Sequence, residues 1–533
     1  MFFFPKRTLE LLGVMTAARC HSMKRDRRDP PRQPSRAKTG RIKRTAESAR
    51  SREGVRGVRS TSEGGQNKPP EGRDPASVMV AQGGKREGMP PSVKQAKANN
   101  PKDKVRELQR SLWMRAKQSR TRRFHALYDR IYRRDVLCEA WKRVRRNGGA
   151  AGVDEKTLAD IEREGVAEFL ESIQAALKAG KYRPSPVKRR YIPKADGKQR
   201  PLGIPTVRDR VVQMAAKLVV EPIFEADFKP CSYGFRPKKS ATQALEAIRK
   251  AGNYGYNFVL EADIRAYYDS IDQSKLMEML AERITDRRVQ KLIRQWLKAG
   301  VLEGGTVKES LAGTPQGGVI SPLLANIYLN SLDHAWERER SQLGVLVRYA
   351  DDFVVMCKTE SQAKEAFRWV TKQIAQLGLT LHPDKTRLVD LRRGKEGFVF
   401  LGCVHRKRRS VRRNPRAYSM QWWPSPKAMK NVRARVHGLT DVRGNRAKDV
   451  KEVVAALNPV VRGWGNYFRF GNSDREFGRL DNYIYRRITR WMWRRGGQRS
   501  RHRPELWPSE RLHRLGLHRL QGTVTYLSNA AFA

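Results

Sequence analysis

The sequence predicts an α+β protein, and three observations carry that prediction. Short apolar, β-branched runs at Arg189–Ile192, Phe258–Ile264, Leu346–Tyr349, Phe353–Cys357 and Gly397–Gly402 read as strands. Stretches with helical spacing alternate with them, among them Ala241–Lys250, Ser274–Ile284 and Glu360–Gln376. Beyond about residue 425 the chain reads as mostly helical and very basic. Its 533 residues allow roughly two to four domains at ~150 residues each.

Taken from the N-terminus, the opening MFFFPKRTLELLGVM has an apolar patch broken by Pro5, Lys6, Arg7 and Glu10. It makes a poor signal peptide, and an upstream start codon explains it at least as well. Residues 21 to 101 are rich in Arg, Lys, Gly, Pro and Ser, and are expected to be disordered because they cannot bury enough apolar surface to offset ordering entropy. They read equally as a basic arm on RNA or as a dispensable extension. Folded structure is expected from about Lys104, where Val105, Leu108 and Leu112 share one helical face. A second helical stretch is expected at Phe124, Leu127, Tyr128 and Ile131, and a third at Val136–Val144, closed by Asn147-Gly148-Gly149. The chain has no internal repeat.

Lys and Arg number 110 against 54 Asp and Glu, a formal net charge of 110 − 54 = +56. Such a field attracts polyanions, with nucleic acid the first candidate and an anionic membrane surface the second. Structural RNA-binding proteins share this composition, so charge alone names no chemistry. The five cysteines, Cys20, Cys138, Cys231, Cys357 and Cys403, are scattered and form no C-x-x-C pair. That speaks against a disulfide framework or zinc site and for reduced thiols. No apolar run reaches the ~20 residues that a bilayer span needs, so no membrane partner is expected.

The sharpest local feature is VLVRYADDFVVMC, Val345 to Cys357. Two apolar runs flank Tyr349-Ala350-Asp351-Asp352, the pattern of a β-hairpin with its acids at the tip. An isolated acidic pair is more simply a solvated turn. A second feature weakens that reading. The strand Phe258-Val259-Leu260 leads through Glu261-Ala262 to Asp263, and a separation of 351 − 263 = 88 residues suffices for the chain to return to a neighbouring strand. Three carboxylates on adjacent strands could hold two Mg²⁺ ions, which favour hard oxygen ligands.

The run from Lys188 to Gly402 resembles the reverse transcriptase domain of group II intron-encoded proteins, motif by motif and in order. RRYIPKADGKQRPLGIPTVRDRVVQ is similar to the fingers motif, PIFEADFKPCSYGFRPKKSATQAL to the segment after it, and ADIRAYYDSID to the motif with the first catalytic Asp. TPQGGVISPLLANIYLN, YADD, LGLTLHPDKTRLV and FVFLG follow as the motifs beside template and nucleotide, at the two-Asp hairpin, at the motif's Lys, and at the primer grip. The stretch from Tyr418 to about Trp507, above all LNPVVRGWGNYFRF, is similar to the thumb and maturase region.

The resemblance implies a right-hand polymerase of fingers, antiparallel palm sheet and helical thumb, preceded by a helical N-terminal extension. It divides the chain into a disordered basic extension at 1–102, the helical extension at 103–165, fingers and palm at 166–405, and the thumb or maturase domain at 406–533. By position, Asp263, Asp351 and Asp352 bind the metal ions, and Lys385 either protonates the leaving pyrophosphate or is a surface lysine. Tyr268 blocks a ribose 2′-hydroxyl or is a core tyrosine. Lys194 and Arg200 hold the triphosphate or are solvated turn charges, and Gln316 sits against the incoming nucleotide. Asp269 is structural, and Gln273 follows Asp272 where relatives often have His. Arg462 and Arg469 touch RNA, while Trp464 and Tyr467 either stack on its bases or pack inward, with inward packing preferred. After Leu506 there is no Cys, only His513 and His518 as metal-type ligands, so an endonuclease domain of the clustered Cys/His kind is not expected. The implied partners are intron RNA, an RNA template with DNA or RNA primer, dNTPs and target DNA, and the implied setting is a bacterial cytoplasm. The alternatives are a splicing cofactor without catalysis, or a related reverse transcriptase of a defence or diversity-generating system.

Overall fold

The computed structural model describes residues 101–193, 199–304, 306–308, 313–314, 317–409, 417–445, 447–495 and 508–526. The expectations for residues 1–100 lie outside them. In chain order the strands are β1 (Val187–Pro193), β2 (Gln199–Ile204), β3 (Phe258–Asp263), β4 (Val301–Glu303), β5 (Thr306–Lys308), β6 (Gly344–Tyr349), β7 (Asp352–Cys357), β8 (Arg387–Asp390), β9 (Gly397–Phe400), β10 (Cys403–Arg409) and β11 (Tyr418–Pro424).

Four of these form the central antiparallel sheet, in the order β6-β7-β3-β8. Successive side chains of a strand point to opposite faces, and here each face meets its own core. Leu260, Leu346, Phe353 and Val355 join a core with Val105, Leu112, Val219, Ile293 and Leu329. Val259, Val347, Val354 and Met356 join a second with Trp422, Trp464, Ile484 and Ile488. Because both faces are covered, the strands read as unbroken apolar runs rather than as alternating ones. The first core contains the N-terminal helix Pro101–Gln118, whose Gln109 Nε2 donates to Leu218 O at 3.0 Å on the helix Val207–Glu225. The second is built from the helices after β11, Pro426–Leu439, Val450–Phe468 and Asp474–Arg495. The α+β class, the antiparallel palm sheet, the helices before the fingers and the helical thumb are all present.

Two smaller sheets flank the palm sequence. One runs β2-β1-β4-β5, with β1 antiparallel to β2 and parallel to β4, and the other runs β11-β10-β9. Strands β10 and β11 had no counterpart in the sequence reading. Their Arg and Lys residues obscure the period, whereas Cys403, His405, Met420 and Trp422 supply the buried face. The second expected N-terminal helix is confined to Tyr128–Ile131. Phe124 instead makes a parallel bridge to Ile284, and Asp286 Oδ2 accepts from the Leu127 and Tyr128 amides, both at 2.8 Å. The helix expected to reach Ile284 ends at Ala281, and β9 ends at Phe400 because Leu401 and Gly402 turn with φ of 49° and 75°. Among the described residues the cysteines, Cys138, Cys231, Cys357 and Cys403, are free thiols, and no helix is long and apolar enough to cross a membrane.

Within the second core, His405 is fully enclosed, stacked on Phe398 at 5.0 Å and near Trp422 at 6.5 Å. Burial holds its pKa down at about 3. The unfolded chain, with an ordinary histidine, therefore binds more protons than the fold between pH ~6.5 and 3, so stability falls as the pH drops through that window. From the two pKa values the loss at pH 5 is on the order of 2 kcal/mol. Thermal unfolding of wild type and His405→Phe at pH 7.5 and pH 5 checks this. The variant should lose less stability on acidification, and parallel losses would show the imidazole is not the source.

Candidate active site

The site is assembled by strand register. β3 and β7 pair antiparallel with Asp263 directly opposite Asp352, and β6 and β7 pair with Tyr349 opposite Asp352. Ala350 and Asp351 thus form the two-residue turn between β6 and β7, with Ala350 at φ 58°. That left-handed conformation is uncommon for a residue with a Cβ. Beyond Asp263 the chain continues along a second neighbour. Ile264 bridges Leu381, and the amides of Arg265 and His382 donate to Thr380 O at 2.9 Å and Asp263 O at 2.8 Å. The turn that follows, held by Lys385 N to His382 O at 3.2 Å, delivers Lys385 Nζ to Asp263 Oδ2 at 2.6 Å.

The electrostatics follow from crowding like charges at one sheet end. Asp352 keeps solvent contact by surface area, yet its pKa stands well above the carboxylate range. The largest cause is the protein packed around its carboxyl, followed by the charge of Asp351 and then the hydrogen bond and charge of Asp263. Lys385 loses some basicity to desolvation, but the hydrogen bond and charge of Asp263, with Asp352 and Asp351 behind it, raise its pKa overall. Lys385 is the cation that offsets this cluster. Among the described residues no three His, Cys, Asp or Glu side chains are grouped closely enough to hold a metal ion as they stand. The donor chemistry nonetheless suits a hard divalent cation: three acidic side chains are drawn together, and one is raised towards its protonated form, first by burial and then by the neighbouring negative charges that such a cation would offset.

Tyr268 is half-buried and packs on Tyr267, ring centroids 5.5 Å apart. Tyr267 is buried and donates to Ala325 O at 2.5 Å on the helix Ser321–Glu339. The backbone preceding Gln316 lies against this pair. Thr314 N donates to Tyr268 O at 2.7 Å, and Gly313, at φ 81°, has room for no Cβ beside Tyr268 and Asp269. On the other side, Gly317 presses on Gly203 of β2 so closely that a Cβ would come within 2.2 Å of its carbonyl. Gly313 and Thr314 thus lie against the tyrosine pair, and Gly317 against the strand carrying Arg200. Gln316 and Lys194 themselves lie outside the described residues. Arg200 is placed by backbone register opposite Ile192. Asp269 is exposed, and Asp272 caps the following helix by accepting from Ser274 and Lys275. Gln273 donates to Leu297 O at 3.3 Å and Gly313 O at 3.1 Å, so it braces the same loop.

In the thumb, Trp464 is only 1 % exposed and packs between Phe468 and Phe477, at 4.8 and 5.6 Å. Tyr467 is mostly buried and donates to Leu401 O at 2.9 Å. Trp464 therefore has no open ring face on which a base could stack, and the RNA-stacking alternative for it is corrected to a packing role. Arg469 is half-buried and donates to Thr525 Oγ1 at 3.0 Å, while Arg462 is exposed. Four residues around the site had escaped the sequence reading: Arg348, Asp333, Asn326 and Gly234. The available signal was a lone arginine inside the apolar strand VLVRY.

Comparison with known proteins bears on the same segments. A family model described as reverse transcriptase (RNA-dependent DNA polymerase) matches residues 192–405, and one described as group II intron, maturase-specific domain matches residues 429–507. Protein YkfC of Escherichia coli (strain K12) is 35% identical over 338 residues, 56% of this chain and 87% of that protein. The group II intron-encoded protein LtrA of Lactococcus lactis subsp. cremoris is 39% identical over 213 residues, 39% of this chain and 35% of LtrA. An uncharacterized 91 kDa protein in the cob intron of Schizosaccharomyces pombe (strain 972 / ATCC 24843) is 28% identical over 428 residues, 67% of this chain and 52% of that protein. The chain thus spans most of YkfC, but only about a third of LtrA and half of the yeast protein.

If the acidic cluster is a Mg²⁺ site, adding the ion should raise the unfolding temperature. Free Mg²⁺ at ten times its Kd corresponds to about 1.4 kcal/mol of stabilisation. Asp351→Asn should lose most of that increment, measured by differential scanning fluorimetry with Ca²⁺-free buffers. An equal increment in the variant would remove the carboxylates as its source.

Proposed function

The chain belongs to the family of group II intron-encoded reverse transcriptases and maturases, and from that membership we propose that it copies RNA into DNA and assists splicing of an intron RNA. The observation that carries the polymerase reading is the β3–β7 register, which sets Asp263 opposite Asp352 with Asp351 at the adjoining turn. Two Mg²⁺ ions, held by these three carboxylates when bound, would lower the pKa of the primer 3′-hydroxyl and neutralise charge on the departing pyrophosphate.

The chain's own groups have the remaining tasks. Lys385, whose proton is held more tightly because of the acidic cluster, can give that proton to a pyrophosphate oxygen. Its ion pair with Asp263 supports that role. Tyr268, packed on Tyr267, would block a ribose 2′-hydroxyl and so favour dNTPs. Arg200 on β2, together with Lys194, supplies positive charge for the triphosphate, arginine with a fork that suits phosphate oxygens. Gln316 would pack against the nucleotide. Template and primer are held as duplex between fingers and thumb. Exposed Arg462, with lesser help from Arg469, contacts intron RNA through phosphates.

Primer extension on an RNA template with dNTPs and Mg²⁺ tests the polymerase reading. Asp351→Ala should lower cDNA yield by roughly 10²–10³-fold, the scale on which removal of a transition-state charge stabiliser acts. Equal yield from both proteins would defeat the assignment. In the same assay Tyr268→Ala should incorporate ribonucleotides that wild type rejects, and unchanged selectivity would return Tyr268 to a packing role.

The maturase reading has its own readout. In splicing of the flanking intron RNA at low Mg²⁺, added protein should accelerate the reaction, and Asp351→Ala should do so equally well because RNA binding does not use that carboxylate. No acceleration by either protein would leave only the polymerase.

A further inference from the structure

Arg348 is a cation inside a buried strand. It is 0 % exposed, as is its partner Asp333 on the helix Ser321–Glu339. Its Nε donates to Asp333 Oδ1 at 2.8 Å and its Nη2 to Asp333 Oδ2, a two-armed pair. The remaining arm, Nη1, donates to Asn326 Oδ1 at 3.1 Å and to the carbonyl of Ala350 at 3.0 Å. Ala350 is the left-handed residue immediately before Asp351. Asn326 in turn donates to Gly234 O at 2.7 Å. Gly234 lies so near the turn that a Cβ there would come within 2.5 Å of Ala350 N. The backbone of Arg348 is held from the same side, its amide donating to Cys231 O at 2.8 Å and its carbonyl accepting from Tyr233 N at 2.9 Å.

One guanidinium thus joins three pieces of chain at the acidic turn: the hairpin itself, the 231–234 segment and the helix Ser321–Glu339. That helix also anchors Tyr267 through Ala325 O, so the turn with Asp351 and the wall with Tyr268 share a single support. Burying a charge pair is expensive, and apolar residues of similar size often serve stability as well or better. Stability is therefore a weak reason for an arginine here. Its bond to the Ala350 carbonyl, which an apolar residue cannot make, is a stronger one.

We propose that Arg348 is a positioning residue for catalysis, fixing the Ala350–Asp351 turn so that Asp351 stands beside Asp263 and Asp352. The proposal rests on the polymerase reading above.

The test replaces both charges together, Arg348→Met with Asp333→Leu, so that no charge is left buried without its partner. This double variant should keep an unfolding temperature close to wild type. Its kcat in primer extension should fall by roughly 10²-fold, the effect of misplacing a catalytic group by about 1 Å. The Mg²⁺ concentration for half-maximal rate should rise several-fold, with KM for template–primer unchanged. Arg348→Lys, which keeps the charge but loses the fork, should not restore kcat. A stable double variant with wild-type kcat and Mg²⁺ dependence would overturn the proposal. Should the double variant fail to fold, Arg348→Lys decides: it keeps a charge beside Asp333 but lacks the second arm that reaches the Ala350 carbonyl, so a raised Mg²⁺ requirement at unchanged unfolding temperature supports the role and a wild-type requirement overturns it. If wild type extends no primer, the polymerase reading fails instead. Arg348 is then judged by the Mg²⁺-induced rise in unfolding temperature, which the proposal expects to shrink in Arg348→Lys and which, unchanged, rejects it.

Discussion

The carboxylates opposed across β3 and β7 are the constraint on which the rest of this structure depends. Asp263 and Asp352 face each other in register, with Asp351 one residue away. Left alone, such a cluster would push the sheet end apart, and the pKa of Asp352 is raised, first by the protein packed around its carboxyl and next by the charges of Asp351 and Asp263. Apolar burial is what opposes it. Behind the acids, every β7 residue from Phe353 to Cys357 is at most 1 % exposed, and the strand feeds two separate cores. A side chain of that size contributes roughly 1.5–3 kcal/mol on burial, so a few such residues outweigh the repulsion between partly screened charges at the sheet's edge.

Division of the core by the sheet explains how one site can be built from distant parts of the chain. One face of the palm sheet is sealed by helices from the N-terminal region and the fingers, the other by the thumb helices and β9–β11. Segments around the acids therefore come from distant parts of the chain. Lys385 arrives on the segment that continues the sheet beyond Asp263, Tyr268 lies on the turn after it, and Gly313 and Thr314 rest against Tyr268 while Gly317 rests against β2. Each is placed by backbone contacts rather than by side-chain packing alone. Glycine matters at two of these places, Gly313 and Gly317, because positive φ and close backbone approach coincide there.

Much of this was legible in the sequence, for identifiable reasons. The strands β3, β6 and β7 are apolar runs ended by acids, and the helix Glu360–Gln376 was read to its bounds because Thr359 caps it with Gln362 in a capping box. The acidic site was legible because strand ends and turn tips fix where side chains emerge. Less visible were elements whose burial is shared with charge. Strands β10 and β11 carry basic residues on their open face, and the segment at Phe124 satisfies helical spacing while spending its backbone bonds on Asp286 and Arg283. Periodicity reports which residues are buried, and it does not report which partner receives the backbone hydrogen bonds. The same limit hid the supports of the site. Asp333 and Asn326 look like ordinary polar positions on the helix Ser321–Glu339 until the fold brings Arg348 beside them.

The thumb shows the opposite trade. Its aromatic residues had two available uses, packing or stacking on bases, and the fold spends Trp464, Phe468 and Phe477 on packing. Gly465 permits it: a Cβ there would come within 2.3 Å of Leu520, so the C-terminal segment can lie directly on the helix. Its arginines are left at the surface instead, Arg462 exposed and Arg469 half-buried on the same stretch. Arginines on a rigid aromatic core are suited to phosphates, with little dependence on base identity.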